Sequence, residues 1–270
     1  MAALLAAGCA GLPALSAQVA APPAPTYADL ADLADPAQSV IRAQIRKQAV
    51  VPAERAPGLA PGFARLYIEA RTAALLKGSD PVGESLRYLV DVPLQADGKA
   101  PKLTKQDVIL FTRAAEGQPG EIALTGPRAQ IAWSQDVEDR LRPILAELSQ
   151  PDARPTVVAV REALSVAGNL TGESETQFFL STKSRELVSI TVVRRPGMAA
   201  VWGVAWDEIV DQAASPPQPG TLEWYRLACF LPEVLPREAN ISADAGSRAR
   251  AEADYAFVRA ELGACPRNRS

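Results

Sequence analysis

The side chains that could do chemistry in this chain are few, and the absent types narrow the choice first. The chain has no histidine and only 3 cysteines. Without an imidazole there is no Ser-His-Asp or Cys-His nucleophile, no histidine-bound zinc and no haem on an axial histidine. Three cysteines cannot complete an all-cysteine tetrahedral metal site. No Gly-x-Ser-x-Gly elbow and no glycine-rich phosphate loop occurs. Carboxylates are the main enzymatic route left open, and no catalytic residue, cofactor or metal site is expected.

Three clusters could carry weaker chemistry. Trp202, Trp206, Asp207 and Glu208 form the densest aromatic and acidic group. On a strand Trp202, Val204 and Trp206 share one face, so they could make a stacking platform with a carboxylate beside it. The plainer reading, a core-facing stripe ending in an acidic turn, is preferred because periodic aromatics are usually core. Glu173 and Glu175 sit in a turn, where paired acids could serve glycoside hydrolysis. Nothing supplies a partner carboxylate, and an exposed polar turn explains them. Lys99, Lys102 and Lys105 gather around Asp97-Gly98 and could touch an anionic surface, at roughly 1 kcal/mol per charge. A solvated hairpin loop accounts for them as well.

Compartment is the best-supported functional statement. The chain is 48% hydrophobic and 22% charged, with net charge -3, so it has the composition of a globular protein and no basic footprint for nucleic acid. It begins with an uncharged apolar run from Ala2 to Leu12, then Pro13, then small residues at Ala14, Ser16 and Ala17, then a Pro/Ala-rich stretch. That is the layout of a secretory signal peptide over residues 1–17, apart from the missing basic residue ahead of the apolar run. The run is too short to span a bilayer as a helix, and no transmembrane span is expected. Ala6-Ala7-Gly8-Cys9 resembles a bacterial lipobox, which would make Cys9 a lipidation site and anchor the protein to a membrane. Cleavage near Ala17 is preferred, because Ala6 stands where lipoboxes usually carry leucine.

Export has a consequence for the other two cysteines. Removal of Cys9 with the signal leaves Cys229 and Cys265 in an oxidising compartment, where one pairing is possible. A Cys229–Cys265 disulfide is therefore expected, in a structural role. Its spacing is far from the Cys-x-x-Cys of redox catalysts.

The elements that would position these residues follow from periodicity and turn chemistry. Asp35-Pro36-Ala37-Gln38 reads as a helix start, with Val40, Ile41, Ile45 and Ala49 on one face. Strands are expected over Phe63 to Leu76, Leu86 to Leu94, Val108 to Thr112, Ile122 to Leu124 and Gln130 to Trp133. A helix follows over 136–148, which Pro143 should kink or split. The segment 150–155 reads as a linker. A four-stranded antiparallel unit is expected from Thr156 to Val160, Gln177 to Ser181, Leu187 to Val193 and Ala200 to Trp206. Helices at Leu222 to Leu231 and Ser247 to Leu262 close the chain.

The expected class is α+β: two small, mainly antiparallel sheet units, with barrel closure as one option, flanking helices and a helical C-terminus. The expected organisation is a signal peptide (1–17), a Pro/Ala-rich segment (18–35), an N-terminal α+β domain (36–150) and a C-terminal one (151–270). Function reads as a periplasmic or secreted, non-enzymatic envelope protein that binds a partner protein or envelope polymer. The alternatives are a carboxylate-dependent hydrolase of envelope glycan and a lipid-anchored assembly factor.

Overall fold

The computed structural model describes residues 23–79, 82–115, 120–206 and 215–269. The fold is α+β, with two antiparallel sheets and a helical C-terminus. The expected signal peptide and Cys9 lie outside the described residues.

The first helix, α1 (Tyr27–Ala34), falls inside the segment read as Pro/Ala-rich, for which no helix was expected. Thr26 caps it in a box with Asp29, and Ala28, Leu30, Ala31 and Ala34 are buried. The helix expected from Asp35 onward is instead strand β1 (Ser39–Val50). Asp35 and Pro36 close α1 and open nothing, since proline cannot continue the helix it follows. Val40, Ile41 and Ile45 fit a helical face, but Ile41, Ala43 and Ile45 also alternate. Antiparallel pairing on both sides, with β2 (Phe63–Lys77) and β4 (Asp107–Ala114), selects the extended form.

β1, β2 and β3 (Ser85–Pro93) form a meander, and β4 returns after a long connection to lie beside β1. That is a Greek key. β4 then pairs with β5 (Ile122–Leu124) and β6 (Gln130–Ala132) in succession, with a four-residue shift of register between them. β5 and β6 are thus one interrupted strand, and the turn containing Gly126 and Pro127 is pushed out of it. The sheet comes round on itself where Arg87 of β3 bridges Glu121 in parallel and donates its N–H to the Gly120 carbonyl at 3.0 Å. The result is a five-stranded, partly open barrel. Its interior is apolar, built from residues such as Ile41, Ile45, Leu66, Ile68 and Leu110. Leu103 and Ala100 of the β3–β4 connection pack against it, held by the Gln48 side chain, which accepts from the Leu103 N–H at 2.6 Å.

α2 (Gln135–Leu148) is capped by Ser134 and runs through Pro143 without splitting. Pro143 is exposed, so the carbonyl it leaves without a helical donor belongs to the solvent side. Beyond it, β7 (Val157–Ala167), β8 (Ser174–Thr182), β9 (Val188–Arg194) and β10 (Val201–Ala205) form the expected four-stranded sheet, in the order β10-β9-β8-β7. Gly197, with φ of 72°, turns the chain between β9 and β10. α4 (Ala245–Leu262) lies against β7 and β8, α3 (Leu222–Ala228) packs beside α1, α2 and α4, and Cys229 and Cys265 are disulfide-bonded with Cα atoms 5.2 Å apart.

The hydrogen-bonded sheets divide on either side of residue 151, where two domains were expected to meet. The main buried cluster does not divide there. It joins Val40, Ile109 and Phe111, on the outward side of β1 and β4, to Phe178, Tyr225 and Tyr255. An ion pair also crosses, from Arg226 of α3 to Asp35, with both bonds at 2.8 Å. Burial alone would raise the Asp35 carboxyl, but the bonds and charge of Arg226, backed by Lys183 and Lys77, hold it below its usual range.

Candidate binding cleft

The clusters singled out in the sequence do not form a site among the described residues. Trp202 and Trp206 are 5% and 8% exposed and belong to the main core, so neither offers a stacking face to solvent. The alternation that aligned them also turned them inward, into that core. Asp207 and Glu208 lie outside the described residues. Glu173 closes the β7–β8 turn by accepting the Leu170 N–H at 3.2 Å. Glu175 is exposed and accepts from the Gln177 side chain. Lys99 pairs with Asp97 at 3.7 Å within its own loop.

A cleft of about 870 Å³ opens instead on the outer surface of the barrel. Strand pairing builds its floor. Ala49 of β1 lies opposite Tyr67 of β2, and Tyr67 lies opposite Leu89 of β3, so these three form one outward row. Arg65 and Asp91 occupy the neighbouring row and face each other directly. Arg65 donates Nε to Oδ1 at 2.7 Å and a terminal nitrogen to Oδ2 at 2.8 Å, a two-pronged fork. Its other terminal nitrogen reaches the Pro57 carbonyl at 3.2 Å and so ties the β1–β2 connection to the floor. That engagement by Asp91 holds the Arg65 guanidinium above its ordinary pKa. The cleft is walled by Pro52 and Arg55 of the β1–β2 connection, by β5, and by Gly126 and Pro127 of the extruded turn.

The floor is amphipathic. Leu89 is 50% exposed, opposite the half-buried Tyr67. Exposed large apolar side chains lining a concave surface with a few fixed polar groups are the usual makeup of a ligand site. Asp91 itself is a poor acid or base, because both its oxygens are already committed to Arg65. Among the described residues, no group of three or more His, Cys, Asp or Glu could hold a metal ion.

None of these cleft residues was singled out in the sequence. Tyr67, Leu89, Arg65 and Asp91 stand at outward positions of strands that alternation makes legible, where tyrosine, arginine and aspartate are ordinary surface residues. Only the curvature of the barrel and its closure at Arg87 bring them into one concavity. No family model matches the chain, and no curated protein is detectably similar to it in sequence. Among the described residues no helix is long and apolar enough to cross a membrane.

Proposed function

We propose that this chain is an exported, non-enzymatic binding protein of the cell envelope whose barrel cleft holds a segment of envelope glycan. The observation that carries the reading is the Tyr67–Leu89 row set beside the Arg65–Asp91 fork on the outer β2–β3 face. In partly open five-stranded Greek-key barrels, the face of strands two and three and the connections at its edges are where oligosaccharides and oligonucleotides bind. The architecture supplies the place by analogy, and the residues decide the chemistry. A tyrosine ring and an aliphatic neighbour suit the apolar face of a sugar, while the fork offers a rigid polar edge for hydroxyls. The composition lacks the basic balance that a polyphosphate ligand would call for. Export is supported by the layout of residues 1–17 and by the Cys229–Cys265 disulfide, which suits an oxidising compartment.

Co-sedimentation of the purified chain with insoluble cell-wall sacculi tests the binding. The unsubstituted chain should pellet with them, and Tyr67→Ala should lower the affinity about tenfold or more while leaving the melting temperature almost unchanged, as expected for a surface substitution. Equal pelleting of the two chains would rule the cleft out as the binding face. Intact-mass analysis of protein from the periplasm should show a chain that begins close to Gln18. A chain that keeps Met1 and stays in the cytoplasm would end the export reading.

A further inference from the structure

Another cleft, about 400 Å³, is lined by the turn between β7 and β8 together with Arg194 and Arg250. The two arginines come from different elements, β9 and α4, and are tied to each other through the protein interior. Arg194 donates Nε to Asp254 Oδ1 at 2.6 Å. Thr176 Oγ1 lies 2.5 Å from the other oxygen, Asp254 Oδ2, and 2.9 Å from Ser165 Oγ. Ser165 Oγ accepts from Arg250 Nε at 3.2 Å, and a terminal nitrogen of Arg250 reaches Ser247 Oγ at 2.9 Å. Asp254 and Thr176 are wholly buried, and Ser165 nearly so.

The chemistry of the end groups sets the direction of this chain. A carboxylate only accepts and a guanidinium only donates. Thr176 must therefore give its proton to Asp254, Ser165 must give its own to Thr176, and Arg250 must donate to Ser165. Each arginine is anchored through Nε to a buried acceptor, and both line the same cleft. Asp254 bonds Arg194 directly and reaches Arg250 only through the two hydroxyls, while Asp244, the N-cap of α4, acts on Arg250 through its charge. Arginine forks held rigid in advance are the usual means of binding an oxyanion, since less side-chain freedom is lost when the anion arrives.

We infer that the Arg194–Arg250 cleft is a binding site for a phosphate-type oxyanion, distinct from the barrel cleft and independent of its ligand. Glu173 lines the same cleft, with one oxygen on the Leu170 N–H, and its charge opposes an anion there. That opposition gives the inference a sign that a purely structural role for the arginines does not share.

Titration calorimetry of the full chain with inorganic phosphate, at ionic strength held constant with chloride, reads the site directly. The unsubstituted chain should bind phosphate at one site. Arg250→Gln should weaken binding about tenfold or more, as expected for loss of a charged hydrogen bond, and Arg250→Lys should weaken it as well, because the charge remains without the fork. Glu173→Gln should tighten it several-fold. Should Arg250→Gln fail to fold, the Arg250→Lys and Glu173→Gln results still decide. Vesicles of phosphatidylglycerol compared with phosphatidylcholine separate the sources: binding to the former that needs Arg250 identifies a lipid headgroup, and phosphate binding without vesicle binding identifies a free or polymer-borne phosphate. No heat with phosphate and no Arg250-dependent vesicle binding would overturn the inference. So would phosphate affinity that is unchanged in Arg250→Lys and Glu173→Gln.

Discussion

The interior of the barrel is apolar, and its one phenol, Tyr88, reaches out to the Gln130 side chain at 2.7 Å. The covered face of the four-stranded sheet buries Ser165, Thr176, Thr182 and Asp254 among its aromatics, and the join between the two halves buries Arg226. A sheet that curls round on itself satisfies its backbone within the sheet and can fill its inside with hydrocarbon alone. An open sheet roofed by helices must fix where those helices sit, and paired polar groups do so with directional bonds. Such groups are costly when one partner is removed, because the other stays buried without compensation. The barrel half should therefore be graded in its response to substitution, and the helix-covered half and its join brittle at a few polar positions.

The largest effect should come from the ion pair at the join. Arg226 and Asp35 have side chains 4% and 25% exposed. Asp35→Ala should cost about 3–5 kcal/mol, because it strands a buried guanidinium. The Arg65–Asp91 pair on the barrel surface is of the same chemical kind, yet Asp91→Ala should cost only about 1 kcal/mol. Urea unfolding at pH 7 would measure both, and equal losses would erase the contrast. The pH dependence has a definite sign. The folded Asp35 carboxyl titrates below its ordinary value, so its contribution is complete above about pH 4, the unfolded value. It fades as pH falls through the lower, folded value. The gap between the unsubstituted chain and Asp35→Ala should narrow in acid and stay constant from pH 5 to 8.

Next comes the disulfide, which closes a loop of 36 residues in sequence separation. Its loss in Cys229→Ser, Cys265→Ser or the double substitution should cost about 3–4 kcal/mol by the loop-entropy argument. The three variants should be alike, since either one breaks the same bond. Cys265 also leads into a tail whose Asn268 and Arg269 N–H groups both donate to Asp29 at 3.0 Å. Amide exchange should accelerate in α1 and this tail, and not in β2 or β3. Exchange that rises equally in the barrel would mean that the two halves unfold as one.

The smallest effects test the polar interior itself. Thr176→Val leaves Asp254 and Ser165 each short of a partner and should cost about 1–3 kcal/mol. Tyr88→Phe removes one hydrogen bond at the barrel rim and should cost about 1 kcal/mol or less. Thermal melts of the two would rank them, and a reversed order would deny that the helix-covered half is the brittle one.

The sequence by itself determined the strands after residue 60, the helix over α2, the C-terminal helices and the cysteine pairing. In each, a local signal prevailed: alternation bounded by turns, a 3.6-residue stripe that outweighed Pro143, or a count that left one partner. β1 was misread because Val40, Ile41 and Ile45 fit a helical face while Ile41, Ala43 and Ile45 fit alternation, and the choice belonged to β2 and β4, which lie on either side of it. Tyr67, Leu89, Arg65 and Asp91 were legible as outward strand positions and no more. Their convergence depends on closure between β3 and the start of β5 at Arg87 and Glu121, 34 residues apart in sequence, which no local pattern encodes. The Arg194–Arg250 cleft depends in the same way on α4 settling against β8, so that Asp254 meets Thr176. Local periodicity decides which side of an element a residue occupies. Only packing decides what stands opposite, and a site is made of what stands opposite.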